Sequence, residues 1–84
     1  MTMAELKTEY KHVDFLFQGI DWESKSAIYI CSSKSSGYDL GEIKWYAPWG
    51  QYCFYDTANG IYSKTCMRDI ADFIEQLTNH IGRT

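Results

Sequence analysis

The chain has 84 residues, enough for one domain and too few for two, since cores below about 40 residues rarely stand alone and domains commonly run ~100–150. With 45% hydrophobic and 23% charged residues the composition is globular, and no run approaches the ~20 apolar residues of a membrane span. Eight basic residues against eleven acidic leave a formal charge of −3, which argues against general phosphate attraction over the whole surface, and acidic residues scattered singly do not make a DNA mimic.

The chain begins Met1-Thr2-Met3-Ala4-Glu5-Leu6-Lys7, without an apolar signal core, and its other end carries no anchor motif. Residues 1–9 read as a flexible arm or a single helical turn of a domain spanning 1–84. Alternation then sets in from Tyr10 to Phe17, with Val13, Phe15 and Phe17 on one side and Tyr10, His12, Asp14 and Leu16 on the other, the period of a first strand. Gln18 to Ser24 breaks it, and Ala27-Ile28-Tyr29-Ile30-Cys31 supplies a β-branched and aromatic second strand. Ser32-Ser33-Lys34-Ser35-Ser36-Gly37 is a loop by composition.

Strand character returns from Tyr38 to Tyr46, Ala47-Pro48-Trp49-Gly50 forms a turn, and Gln51 to Tyr55 reads as a fourth strand. Pro48 belongs at that bend because it lacks an amide donor and has a fixed φ. Asp56-Thr57-Ala58-Asn59-Gly60 is a further turn, with Ile61-Tyr62-Ser63 as a short fifth strand candidate. Beyond Ser63 the period changes, and Ile70, Phe73, Ile74, Leu77 and Ile81 recur at three- and four-residue steps, predicting an amphipathic helix. Ser63 or Thr65 is its candidate cap and Gly82 its stop.

The expected architecture is an α+β domain in which an antiparallel meander of four or five strands carries one C-terminal helix on one face. Parity groups Val13, Phe15, Phe17, Ile28, Ile30, Ile43 and Trp45 toward the helix, and Tyr10, His12, Tyr29, Lys44, Tyr46 and Tyr55 toward the other face. An uncovered face rich in tyrosine marks an interaction surface or a dimer interface.

Cys31, Cys53 and Cys66 are odd in number and lack C-x-x-C spacing. They therefore read as reduced thiols, and the cytoplasm is the expected compartment. His12 and His80 have no metal-type spacing to other ligands, so neither a metal nor a cofactor is expected. Asp69, Asp72 and Glu75 advance as a solvated helix face rather than as converging carboxylates, and no glycine-lysine phosphate loop is present. Cys66, beside Arg68 near the helix start, is the one candidate reactive thiol. The expected function is non-enzymatic.

The most distinctive segment is Gly41-Glu42-Ile43-Lys44-Trp45-Tyr46-Ala47-Pro48-Trp49-Gly50-Gln51-Tyr52-Cys53-Phe54, followed by Cys66-Met67-Arg68-Asp69-Ile70-Ala71-Asp72-Phe73-Ile74. Over residues 41–77 it resembles a family of small, largely uncharacterised bacteriophage proteins with a G-x-I-x-W-Y-x-P-W-x-x-Y-C-F run and a C-L-x-D-I-x-x-F-I helix. The chain departs from that pattern at Gly50, where family members often have Arg, and at Tyr55-Asp56, where many have Pro. The resemblance implies a phage context and no particular chemistry.

Physically, Trp45, Tyr46, Trp49, Tyr52 and Phe54 concentrate rings around a proline bend. Such a cluster can staple a small domain, yet a Trp at the tip of a bend projects toward a partner. The candidate binding residues are Lys44, Tyr46, Trp49, Tyr52, Tyr29, Tyr10 and Arg68. The favoured reading is a stoichiometric module that blocks a bacterial host protein, such as a defence factor, using the Tyr and Trp that dominate binding hot spots. The first alternative is a sponge for a nucleotide or cyclic-nucleotide signal, stacked on rings with Lys44, Lys64 or Arg68 on the phosphate. A third is single-stranded nucleic-acid binding on the open sheet, although the ribonucleoprotein signature is missing. Homodimerisation through the uncovered face is compatible with each.

Overall fold

The computed structural model describes residues 6–81, with positions 80 and 81 described for their backbone only. Most of the expected arm, the side chains of His80 and Ile81, and Gly82 therefore lie outside the described residues. Four strands, β1 (Val13–Asp21), β2 (Ser26–Ser33), β3 (Asp39–Tyr46) and β4 (Gln51–Asp56), form one antiparallel sheet in chain order, and α1 (Lys64–Ile81) packs on one face. The α+β meander with one terminal helix is thus the observed architecture, with four strands. Ile61-Tyr62-Ser63 is irregular: Ile61 is fully exposed, and the Tyr62 hydroxyl is tied back to Asp56 Oδ1 at 2.7 Å instead of joining the sheet. No helix among the described residues is long and apolar enough to cross a membrane.

The helix begins where its sequence provides a cap: Ser63 Oγ accepts the Cys66 amide at 3.1 Å and the Ser63 carbonyl accepts that of Met67 at 3.0 Å. Its apolar stripe, Ile70, Phe73 and Leu77, is buried against Val13, Phe15, Cys31, Ile43 and Tyr52 of the sheet. Phe73 forms the centre, stacked on Phe15 at 4.1 Å between centroids and meeting Tyr29 edge-on at 4.9 Å. Gly41 of β3 is required by the same packing, because a Cβ there would run into the Tyr55 carbonyl oxygen and come within 2.8 Å of the Phe54 ring.

The parity grouping needs two corrections. β2 pairs Phe15 with Cys31 and Phe17 with Tyr29, so Tyr29 and Cys31 face the helix while Ile28 and Ile30 face away, the reverse of the expectation. Tyr10, expected on the outer face, is buried in the core. The chain bends at Lys11-His12, the Tyr10 amide donates to the Val13 carbonyl at 2.9 Å, and strand alternation starts only at Val13. The Tyr10 hydroxyl donates to Asp72 Oδ2 at 2.6 Å and accepts from Gln76 Nε2 at 2.7 Å. Gln76 also exchanges hydrogen bonds with the Lys7 backbone at 2.9 and 3.1 Å, so residues preceding the sheet are bonded to the helix. Burial first, then the bond to Asp72, holds the Tyr10 phenol well above its ordinary pKa.

Candidate functional site

The face of the sheet opposite the helix is covered by no element among the described residues. Pairing builds a continuous row across it: Leu16 opposite Ile30, Ile30 opposite Glu42, and Glu42 opposite Tyr55. The next positions on the same face are Lys44, paired with Cys53, and then Tyr46, paired with Gln51. Leu16 is 70% exposed, and Ile28 and Ile30 are half-buried by their neighbours alone.

At the β3–β4 end the rings gather. Tyr46 meets Tyr55 at 6.2 Å and Trp49 at 5.0 Å, both edge-on. Lys44 Nζ lies 4.6 Å above the Tyr55 ring and 3.6 Å from Glu42 Oε1, so its charge is already shared between a π face and a carboxylate. Trp49 owes its position to a short 3-10 turn, Ala47–Trp49, with Pro48 near its start. Gly50 closes the turn at φ 63°, and its amide donates to the Tyr46 and Ala47 carbonyls. The bend carries Trp49 away from the domain, leaving it 69% exposed.

The β1–β2 hairpin borders the same cluster. The Asp21 carboxylate accepts from the Glu23 amide at 3.3 Å and the Ser24 hydroxyl at 3.0 Å, which folds the tip and leaves Trp22 85% exposed. Between this tip and the ring cluster lies a cleft of about 390 Å3, lined by Asp21, Glu23 and Ser24 on one side and Lys44, Tyr46, Pro48 and Tyr55 on the other. Its charged lining is two carboxylates and one lysine that is engaged with Glu42.

Of the residues singled out in the sequence, Lys44, Tyr46 and Trp49 come together here. Tyr10 and Tyr52 are core residues, and Tyr29 packs on Phe73 on the helix side. Burial raises the phenol pKa of both Tyr29 and Tyr52. Arg68 is exposed on α1 and His12 is exposed just ahead of β1. Cys31, Cys53 and Cys66 are free thiols, and burial pushes that of Cys31 up to about 12. Strand parity already puts Leu16 on this side, whereas sequence reasoning missed Asp21, Trp22, Glu23 and Ile30 as parts of this surface. The hairpin was legible as a break in alternation, but its adjacency to Tyr46 follows from the register of the β2–β3 pairing, which a single sequence does not specify.

No family model, curated protein or solved structure matches this chain.

Proposed function

We propose that the protein is a non-catalytic binding module that grips a partner protein through the open sheet face. The observation that carries this reading is the uncovered apolar and aromatic surface formed by Leu16, Ile30, Tyr46, Trp49 and Tyr55, flanked by the exposed Trp22. Rings and large aliphatics on a rigid sheet supply contact area at small entropic cost, which is what interface hot spots require. The cleft beside them adds selectivity. Asp21 and Glu23 line it together with Tyr46 and Tyr55, a setting that suits an Arg or Lys side chain entering between charge and π face.

The acidic rim also weighs against nucleotide capture at this place, because a phosphate here would meet Asp21, Glu23 and Glu42 with one lysine in compensation. The phage resemblance supplies the setting of the proposal: a bacterial host protein, such as a defence factor, blocked by stoichiometric occupation. The test is capture from bacterial lysate with tagged wild type beside Tyr46→Ala and Trp49→Ala, each shown folded by circular dichroism. A specific protein retained by the wild type and lost with both variants is the expected result. Equal recovery on all three, or on none, would refute the assignment to this face. Light scattering on the free protein separates pairing of two copies through the same surface from binding of a foreign partner.

A further inference from the structure

Beyond the open face, we infer that the protein carries a second, anion-binding site for a small phosphorylated molecule of mononucleotide size, in the cavity between the start of β1, the β2–β3 loop and the start of α1. The cavity holds about 420 Å3, within the range of ~300–1,000 Å3 typical of small-molecule sites. Its polar wall is formed by Lys11, His12, Lys34 and Ser35, and neither Asp nor Glu is among the described residues that line it. In a chain whose formal charge is −3, this wall brings together two lysines and the His12 imidazole, with Asp14 3.7 Å from Lys34 Nζ as the neighbouring carboxylate.

The wall is built from two segments held together. The Lys34 amide donates to the His12 carbonyl at 3.0 Å, which fixes the β2–β3 loop beside the residues entering β1. Ser33 and Ser35 place their hydroxyls 3.2 Å apart, and the Ser36 amide approaches Ser33 Oγ at 3.4 Å, so the loop is organised by its own side chains. Lys34 Nζ lies 3.7 Å from Asp14 Oδ1, too far for a hydrogen bond, and that oxygen is buried without any hydrogen-bond partner. The ion pair is more than a third exposed on both sides and lacks a hydrogen bond, so a phosphate, which offers several acceptors at closer range, can compete with Asp14 for the ammonium. Opposite the cationic wall stand Leu40, Ile61 and Tyr62. Tyr62 is anchored through its hydroxyl to Asp56, leaving an apolar and aromatic side for the rest of the ligand.

The ligand chemistry follows from this division: a phosphate at Lys11, His12 and Lys34, and a flat or apolar moiety against Tyr62 and Ile61. Amide chemical shifts of the full chain, titrated with AMP, inorganic phosphate and adenosine, test it. AMP is expected to move the amides of Lys11, His12, Lys34 and Ser35 saturably in the millimolar range or below, phosphate to move the same amides more weakly, and adenosine to move them least. The double variant Lys11→Gln/Lys34→Gln, which also removes the Lys34–Asp14 ion pair and is first shown folded by circular dichroism, should weaken AMP binding about tenfold or more. Lys7→Gln/Lys25→Gln removes the same charge at two exposed positions outside the cavity and should leave it within about twofold. The inference is overturned by the absence of saturable shifts at these amides, by adenosine binding as well as AMP, or by an equal loss in the two double variants.

Discussion

The two faces of the sheet are built from similar residues and have opposite fates. On one, Val13, Phe15, Ile43 and Tyr52 lie beneath Phe73 and are almost fully buried, although the single helix leaves Phe17 at the sheet margin 54% exposed. On the other, Ile28, Ile30, Tyr46 and Tyr55 are shielded only by one another, and Leu16 stands 70% exposed. Hydrophobic residues alone therefore do not define the core; the amphipathic helix does, by choosing a side. What the helix leaves uncovered is apolar enough to be costly in water, and it lies beside a rim of Asp21, Glu23 and Glu42.

If the difference between the faces is energetic, truncation on the covered side must be far more destabilising. Phe73→Ala removes the ring that stacks on Phe15 and meets Tyr29, and should cost about 3–5 kcal/mol in urea unfolding, enough to leave this small domain largely unfolded. A loss below ~1 kcal/mol would contradict a core centred on the helix stripe.

Tyr10→Phe comes next. It removes a bond donated to the Asp72 carboxylate and one accepted from Gln76, with an expected cost of about 1.5–3 kcal/mol. The same residue has a pH signature. Its folded-state pKa lies above the ordinary value of 10.0, so its contribution is complete below that pH and disappears as pH rises through the folded value. Cys31 and Tyr62, pushed up to about 12, act in the same direction. Stability should thus begin to fall above pH ~9 through Cys31 and more steeply above ~10 as the tyrosines join, and less steeply in Tyr10→Phe, as read by urea midpoints across the alkaline range. A variant that parallels the wild type would detach Tyr10 from the alkaline transition.

The helix and the meander were legible because their signals are local: Ile70, Phe73, Ile74 and Leu77 at helical spacing, a serine cap, and turns at Ser32–Gly37 and Ala47–Gly50. The exposure of Trp49 was legible for the same reason, since Pro48 and Gly50 set the bend within four residues. The side taken by β2 was not. Ile28 and Ile30 are more apolar than Ala27, Tyr29 and Cys31, so composition points to the wrong side, and the choice is made instead by pairing with Phe15 and Phe17. Tyr10 is on the outer face by strict alternation but in the core in the structure, because a bend at Lys11-His12 interrupts the alternation between it and Val13. The acidic half of the cleft depends on the β1–β2 hairpin folding toward Tyr46, a contact between distant parts of the chain.

Substitutions on the open face sharpen the contrast from the other direction. Leu16→Ala, Tyr46→Ala and Trp49→Ala should each change stability by no more than about 0.5–1 kcal/mol, while abolishing capture of the partner. Glu23→Lys, which reverses charge at the cleft, should weaken a partner that inserts a basic side chain and leave the unfolding midpoint nearly unchanged. Stability losses comparable to that of Phe73→Ala would mean that these rings hold the domain together and are not free for binding.

The smallest effect expected is also the one that separates packing from polarity on the covered face. Tyr52 is buried, its ring meets Trp45 edge-on at 5.3 Å, and its hydroxyl, although near Ser26 and the Ala27 backbone, has no hydrogen-bond partner. Burying an unpaired hydroxyl opposes folding by roughly 1–3 kcal/mol, whereas the ring itself contributes through its apolar area. Tyr52→Phe keeps the ring and deletes the unpaired group, so its urea midpoint should equal or slightly exceed that of the wild type; Tyr10→Phe, with the same chemical change at a bonded hydroxyl, should lower it. A loss at Tyr52 as large as that at Tyr10 would indicate a partner for its hydroxyl in solution, such as an ordered water bridging to Ser26, and the covered face would then owe part of its stability to polar pairing at the sheet as well as to the helix stripe.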